Sequence, residues 1–203
     1  MRVLFWGTPA FSLPALRALT DEGHDVVGVV TQPDRPAGRG QRETQSAVKG
    51  FAVSEMIPVL QPERVREPAF VQEVGALTPD VSVVVAFGQI LPAAVLSKPR
   101  YGSVNIHASL LPELRGAAPV HWAIIHGYQT TGVTIMRMEP GLDTGPILRQ
   151  VPEPIRPDES MSDLATRLSE IGAEALVETL AMMELMDRIR ADLGVRYAVD
   201  PVV

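Results

Sequence analysis

Two residues near the middle of the chain, Asn105 and His107, are of types that can do chemistry together. They stand two apart in Ser103-Val-Asn-Ile-His107, so on a strand they share one face. At the carboxyl end of a strand that face can open into a cleft. There an amide can donate to a developing oxyanion while an imidazole manages charge or a proton. A third candidate is Asp143, in Gly141-Leu-Asp-Thr-Gly145. Flanking glycines suit a tight loop that brings backbone and carboxylate close to a ligand, and an Asp set against His107 would fix the ring's orientation. A structural reading fits the same residues. A strand-end Asn and His can simply satisfy backbone groups, and an Asp between glycines is common in turns. Spacing alone leaves both readings open.

The elements around these residues predict what positions them. Arg2–Trp6 reads as a buried strand broken by Gly7-Thr8-Pro9. Ser12 then caps a helix with Pro14 in its first turn, ended by Gly23. Asp25–Thr31, Val59–Gln61, Val81–Ala86, Gly102–His107 and Gly132–Met138 read as further strands, with Ile147–Pro154 an antiparallel edge strand. Helical patterns cover Pro68–Leu77, Pro92–Ser97, Pro119–Gly127 and a final region from Ser160 or Ser162 that Gly172 interrupts. Strands apolar on both faces and separated by helices indicate a parallel sheet covered on both sides. The expected fold is therefore α/β: a doubly wound, mostly parallel Rossmann-like sheet with a C-terminal helical tail. Ligands of such sheets sit beyond the carboxyl ends of the strands. Gly7-Thr-Pro-Ala-Phe11 is not GxGxxG, so the dinucleotide fingerprint is missing and a nicotinamide enzyme is disfavoured.

Composition narrows the classes further. With 203 residues and 46% hydrophobic content, the chain can build one full core. A formal net charge of -6 excludes a broadly basic nucleic-acid surface, so any RNA contact must be local. The absence of cysteine excludes disulfides, thiolate catalysis and Cys-ligated metal. No run approaches a membrane span, so a cytoplasmic protein without membrane contact is expected.

Five motifs in order complete the picture: Asn105-Ile-His107 with Ser109-Leu-Leu-Pro112, Arg115-Gly-Ala-Ala-Pro119, Thr131-Gly-Val-Thr-Ile-Met136 and Gly141-Leu-Asp-Thr-Gly145. In this combination the chain resembles the folate-dependent formyltransferase family. Gly7-Thr8-Pro9, Thr31-Gln-Pro-Asp-Arg-Pro-Ala-Gly-Arg-Gly40 and Phe87-Gly-Gln-Ile-Leu-Pro92 narrow the likeness to the branch whose acceptor is initiator methionyl-tRNA. The resemblance runs from about Arg2 to about Thr179.

The resemblance implies Asn105, His107 and Asp143 as catalytic residues and 10-formyltetrahydrofolate as formyl donor, with no metal. It implies a donor site from Ser109, Leu110, Leu111 and Pro112 together with Phe87, Gly88, Gln89, Ile90 and Leu91. The locally basic Asp34–Lys49 loop offers Arg35, Arg39 and Arg42 as tRNA contacts, although Gln41-Arg-Glu-Thr-Gln45 departs from the usual pattern there. A catalytic domain over 1–180 and a helical tail of unclear role over 181–203 leave no room for the family's C-terminal tRNA-binding barrel. Binding of initiator methionyl-tRNA by this chain, expected as a monomer, would then be weak. Three rivals remain: a formyltransferase for glycinamide ribonucleotide or a sugar nucleotide, a 10-formyltetrahydrofolate hydrolase, and a non-catalytic folate- or tRNA-binding module.

Overall fold

The computed structural model describes residues 1–37 and 42–194, with the backbone alone at Ala37, Arg42 and Glu43. Its frame is a seven-stranded sheet. β1 (Arg2–Gly7), β2 (Asp25–Val30), β5 (Val59–Leu60), β6 (Val81–Val85) and β7 (Ser103–His107) run parallel. β8 (Thr130–Arg137) and β9 (Ile147–Pro154) are antiparallel, giving the order β5-β2-β1-β6-β7-β8-β9. β3 (Arg35–Ala37) and β4 (Arg42–Thr44) form a separate antiparallel pair.

The period of two along β1 sorts its side chains into two cores. Val3 and Phe5 join the layer of α1 (Leu13–Asp21), α2 (Ala47–Ser54) and α6 (Met161–Leu193). Leu4 and Trp6 face α3 (Pro68–Ala76) and α4 (Ala93–Leu96). Because all four residues are fully buried, neither face of the strand can be polar. This is the doubly wound arrangement expected from the apolar runs. α5 (Pro119–Ile125) bridges from β7 towards β8. No helix among the described residues is long and apolar enough to cross a membrane.

Three local expectations are corrected. Ser12 precedes α1, but its hydroxyl makes no cap; it donates instead to the Val85 carbonyl at 2.7 Å, tying β1's exit to the end of β6. The Asp34–Lys49 stretch is not a loop throughout. It holds the β3–β4 pair and the start of α2, capped by Ser46 accepting from the Lys49 amide. Gly172 does not interrupt α6. A Cβ there would stand 2.8 Å from Ile106 Cγ2, so the glycine marks where the helix lies directly on β7. α6 continues across residue 180 and stops only at Gly194, in the left-handed conformation that commonly closes helices.

Two glycine substitutions should act in opposite directions. At Gly132 in β8 a Cβ would overlap the Val151 carbonyl oxygen and lie 2.6 Å from Leu110 Cδ2. Gly132→Ala should therefore cost about 1–3 kcal/mol in denaturant unfolding. Gly50 sits inside α2 with nothing nearer than 3.7 Å, so Gly50→Ala should stabilise by about 0.5–1 kcal/mol.

Candidate active site

At the carboxyl ends of β6 and β7 the sheet opens into a cavity of about 680 Å³, within the range of small-molecule sites. Its walls are mainly apolar, with Phe11, Val84, Phe87, Leu91, Val120 and Met136 among them. Asn105, His107 and Asp143 are all on its surface. Asn105 and His107 come from one face of β7, and Asp143 arrives on the loop between β8 and β9.

Backbone groups fix this trio. His107 Nε2 lies 3.0 Å from the Leu114 carbonyl oxygen, which can only accept, so that nitrogen carries the proton and donates. His107 Nδ1 is then the nitrogen that faces Asp143 Oδ2, at 3.6 Å. That spacing is an ion-pair distance rather than a hydrogen bond. The same Oδ2 accepts the Gly116 amide at 2.8 Å. Asp143 adopts a φ of 51°, a left-handed conformation that Asp tolerates better than most residues. Beside it, a Cβ on Gly145 would overlap the Arg137 carbonyl, so the loop can press against β8 only with glycine there. Asn105, a largely buried residue, makes no side-chain hydrogen bond among the described residues, and it lines the cavity. Its amide donor is therefore free to bond a group that enters the cavity.

The Phe87–Leu91 segment lines the cavity throughout. Its first ring packs edge-on against Trp6 at 5.3 Å. Thr8 and Gln32 both donate to the Phe87 carbonyl, at 3.2 and 3.1 Å, and the Gln89 amide reaches Gln32 Oε1 at 3.3 Å. The three N-terminal motifs thus bond to one another to hold one wall. Ser109, Leu110, Leu111 and Pro112 lie outside that wall. They form a turn pinned to β8 and β9: Thr134 Oγ1 donates to the Ser109 carbonyl at 2.7 Å, and Gln150 Nε2 to the Leu111 carbonyl at 2.8 Å. Arg35 is exposed on β3. Arg39 falls outside the described residues, and of Arg42 only the backbone is described.

Several contributors to the cavity carry little signal in the sequence. Leu114 and Gly116 act through backbone groups, which residue type does not advertise, although both lie in or beside Arg115-Gly-Ala-Ala-Pro119. His121, at the start of α5, lines the cavity as well. Met161 and Ala165 reach it from the first turns of α6, and nothing in their local sequence signals this. Among the described residues no three His, Asp or Glu side chains gather as a metal-ligand set.

Comparison with known proteins decides the family. Residues 1–180 match the family described as Formyl transferase. The chain belongs to the formyl transferase family. It is 54% identical over 183 residues to the methionyl-tRNA formyltransferase of Geotalea uraniireducens (strain Rf4), covering 90% of this chain and 58% of that one. With the methionyl-tRNA formyltransferase of Citrifermentans bemidjiense (strain ATCC BAA-1014 / DSM 16622 / JCM 12645 / Bem) it shares 54% identity over 201 residues, 98% of this chain and 63% of the relative. The chain therefore spans about three fifths of the length of these relatives. Among solved structures, phosphoribosylglycinamide formyltransferase from Bacillus halodurans superposes with a TM-score of 0.76 at 22% identity, covering 90% of this chain and 95% of that one. That likeness is one of family fold.

The base of the β3–β4 pair carries a pH-sensitive anchor. Lys49 Nζ bonds Asp34 Oδ2, and Gln61 Nε2 donates to Asp34 Oδ1 at 2.9 Å. The Lys49 hydrogen bond first, and then that from Gln61, hold the Asp34 carboxyl below its ordinary range. A depressed carboxylate binds fewer protons folded than unfolded. Its contribution is present above the ordinary carboxylate value, about pH 4, and is lost as pH falls through the lowered one. In unfolding midpoints measured from neutral to acid pH, the gap between wild type and Asp34→Asn should narrow below about pH 4.

Proposed function

We propose that this chain carries the catalytic centre of a methionyl-tRNA formyltransferase, moving a formyl group from 10-formyltetrahydrofolate to the amino group of initiator methionyl-tRNA. The observation that carries this reading is the Asn105 carboxamide, without a hydrogen-bond partner among the described residues, on the same cavity surface as His107 and Asp143. Its setting supports the choice of acceptor, since the chain is 54% identical to relatives named for that reaction.

The donor supplies an activated formyl group, and the residues do the rest. As the acceptor amine adds to the formyl carbon, negative charge grows on the formyl oxygen. Asn105 Nδ2 donates to that oxygen, a contact worth more as charge develops than before it. With a second proton on Nδ1, His107 adds another donor from that nitrogen, because Nε2 is committed to Leu114. Asp143 Oδ2 is held by Gly116, while Oδ1 has no hydrogen-bond partner among the described residues and can accept the amine's proton. The new C–N bond gives a tetrahedral adduct, which collapses as the formyl carbon leaves the donor nitrogen and the carbonyl re-forms. The amine's proton then passes by way of Asp143 to that nitrogen, so charge balances without a covalent enzyme species.

The apolar cavity wall at Phe87–Leu91 suits a flat ring system. Ser109–Pro112, outside that wall, are assigned to the part of the donor that extends beyond it. We assign Arg35, Arg39 and Arg42 to the acceptor RNA and place the protein, as a translation enzyme, in the cytoplasm as a monomer.

Asn105→Ala and Asp143→Asn should each lower the single-turnover rate of formyl transfer by about a hundredfold or more while thermal unfolding stays cooperative. Near-normal rates in either variant overturn the mechanism. Donor turnover with charged initiator tRNA should exceed that with glycinamide ribonucleotide, with an amino-sugar nucleotide, and with no acceptor. A reversed order overturns the acceptor assignment.

A further inference from the structure

Whatever carries the acceptor amine inward must pass the elements around the cavity, and one of them, helix α5, carries side chains that the mechanism leaves unused. Helix α5 enters the cavity wall with Pro119, Val120 and His121. The next residue, Trp122, keeps 46% of its surface exposed and is the only Trp or Phe so exposed among the described residues. Its indole is stacked with the His126 imidazole one turn on, 5.4 Å between centroids and 20° between planes. Tyr128 continues the row at 6.4 Å from His126, steadied by its hydroxyl donating to Glu113 at 3.2 Å. Arg115, exposed and without an ion pair among the described residues, precedes the cavity-lining Gly116 and Ala117.

This is the chemistry of a base-binding surface. A half-exposed indole already stacked with a second ring offers a flat face to a third, and unpaired RNA bases bind proteins largely by stacking on such rings. Stacking is also the term that an acidic chain can supply. With a net charge of -6, broad electrostatic attraction to RNA is not available.

We propose that Trp122 and His126 form a stacking platform for a base of the unpaired 3′ end of the acceptor RNA, docking it as the aminoacyl amine enters the cavity. The proposal rests on the reading of the acceptor as an aminoacyl-RNA. The platform selects an unpaired end over a duplex, because only an unpaired base can leave its own stack, and it is tolerant of base identity.

The chain has two tryptophans, and Trp6 is fully buried, so quenching by added RNA reports on Trp122. An RNA hairpin with an unpaired 3′ extension should quench the fluorescence, and the same hairpin with a blunt end should not. Trp122→Ala should raise KM for the aminoacyl-RNA about 5- to 100-fold, leaving the KM of the donor unchanged, and Trp122→Phe should restore most of the loss. Equal quenching by both hairpins, or an unchanged KM in Trp122→Ala, overturns the platform. If wild type formylates aminoacyl-RNA and Trp122→Ala matches it, the platform alone fails. If wild type formylates none yet shows extension-dependent quenching, the platform holds and the acceptor assignment fails.

Discussion

The hydrogen bond from the Gly116 amide to Asp143 Oδ2 joins two loops that leave different strands, and the rest of the site depends on it. Without it the carboxylate would swing on a glycine-flanked loop, and His107 would have a backbone partner on one nitrogen and nothing fixed on the other. With it, strand β7, the turn after it and the loop after β8 converge on one point. The backbone gives way to allow this convergence. Ala86, Leu114, Ala118 and Asp143, four of the six non-glycine residues with positive φ among the described residues, lie at or beside the cavity. Such conformations cost on the order of 1–3 kcal/mol each and persist only where surrounding structure over-determines them. Here the sheet ends and the two cores provide that support.

The cavity follows from the same economy of backbone contacts. Thr8, Gln32 and Phe87 come from three separated segments, yet their hydrogen bonds meet at one carbonyl, so one wall is assembled from three strand exits. Thr134 and Gln150 do the equivalent for the Ser109–Pro112 turn from the antiparallel side of the sheet. The parallel strands set where the cleft opens, and the side-chain-to-backbone bonds set its shape.

Much of this was legible in the residues. Val81–Val85, valine at every position but Ser82, reads directly as a buried strand, and the two-residue spacing of Asn105 and His107 needed only a strand to put them together. The family motifs carried Asp143 to the same place. What stayed hidden has a common physical cause. Gly116 and Leu114 act through atoms every residue possesses, Met161 and Ala165 reach the cavity only because a long helix folds back over the sheet, and Gly172 looks like a helix breaker until Ile106 is placed against it. Helix α2 escaped for a different reason: Gly50 lies at its centre and the preceding segment is polar, so the local pattern reads as loop.

In the proposed mechanism Asn105 acts on charge that develops during transfer rather than on the resting donor. Asn105→Asp keeps the shape of the side chain and replaces its N–H donor with an oxygen. The decisive measurement is the single-turnover transfer rate of this variant beside its equilibrium affinity for an unreactive analogue of 10-formyltetrahydrofolate. The rate should fall by about a hundredfold or more with affinity changed only a few-fold. A rate that holds, or one that falls only in step with affinity, would contradict that mechanism.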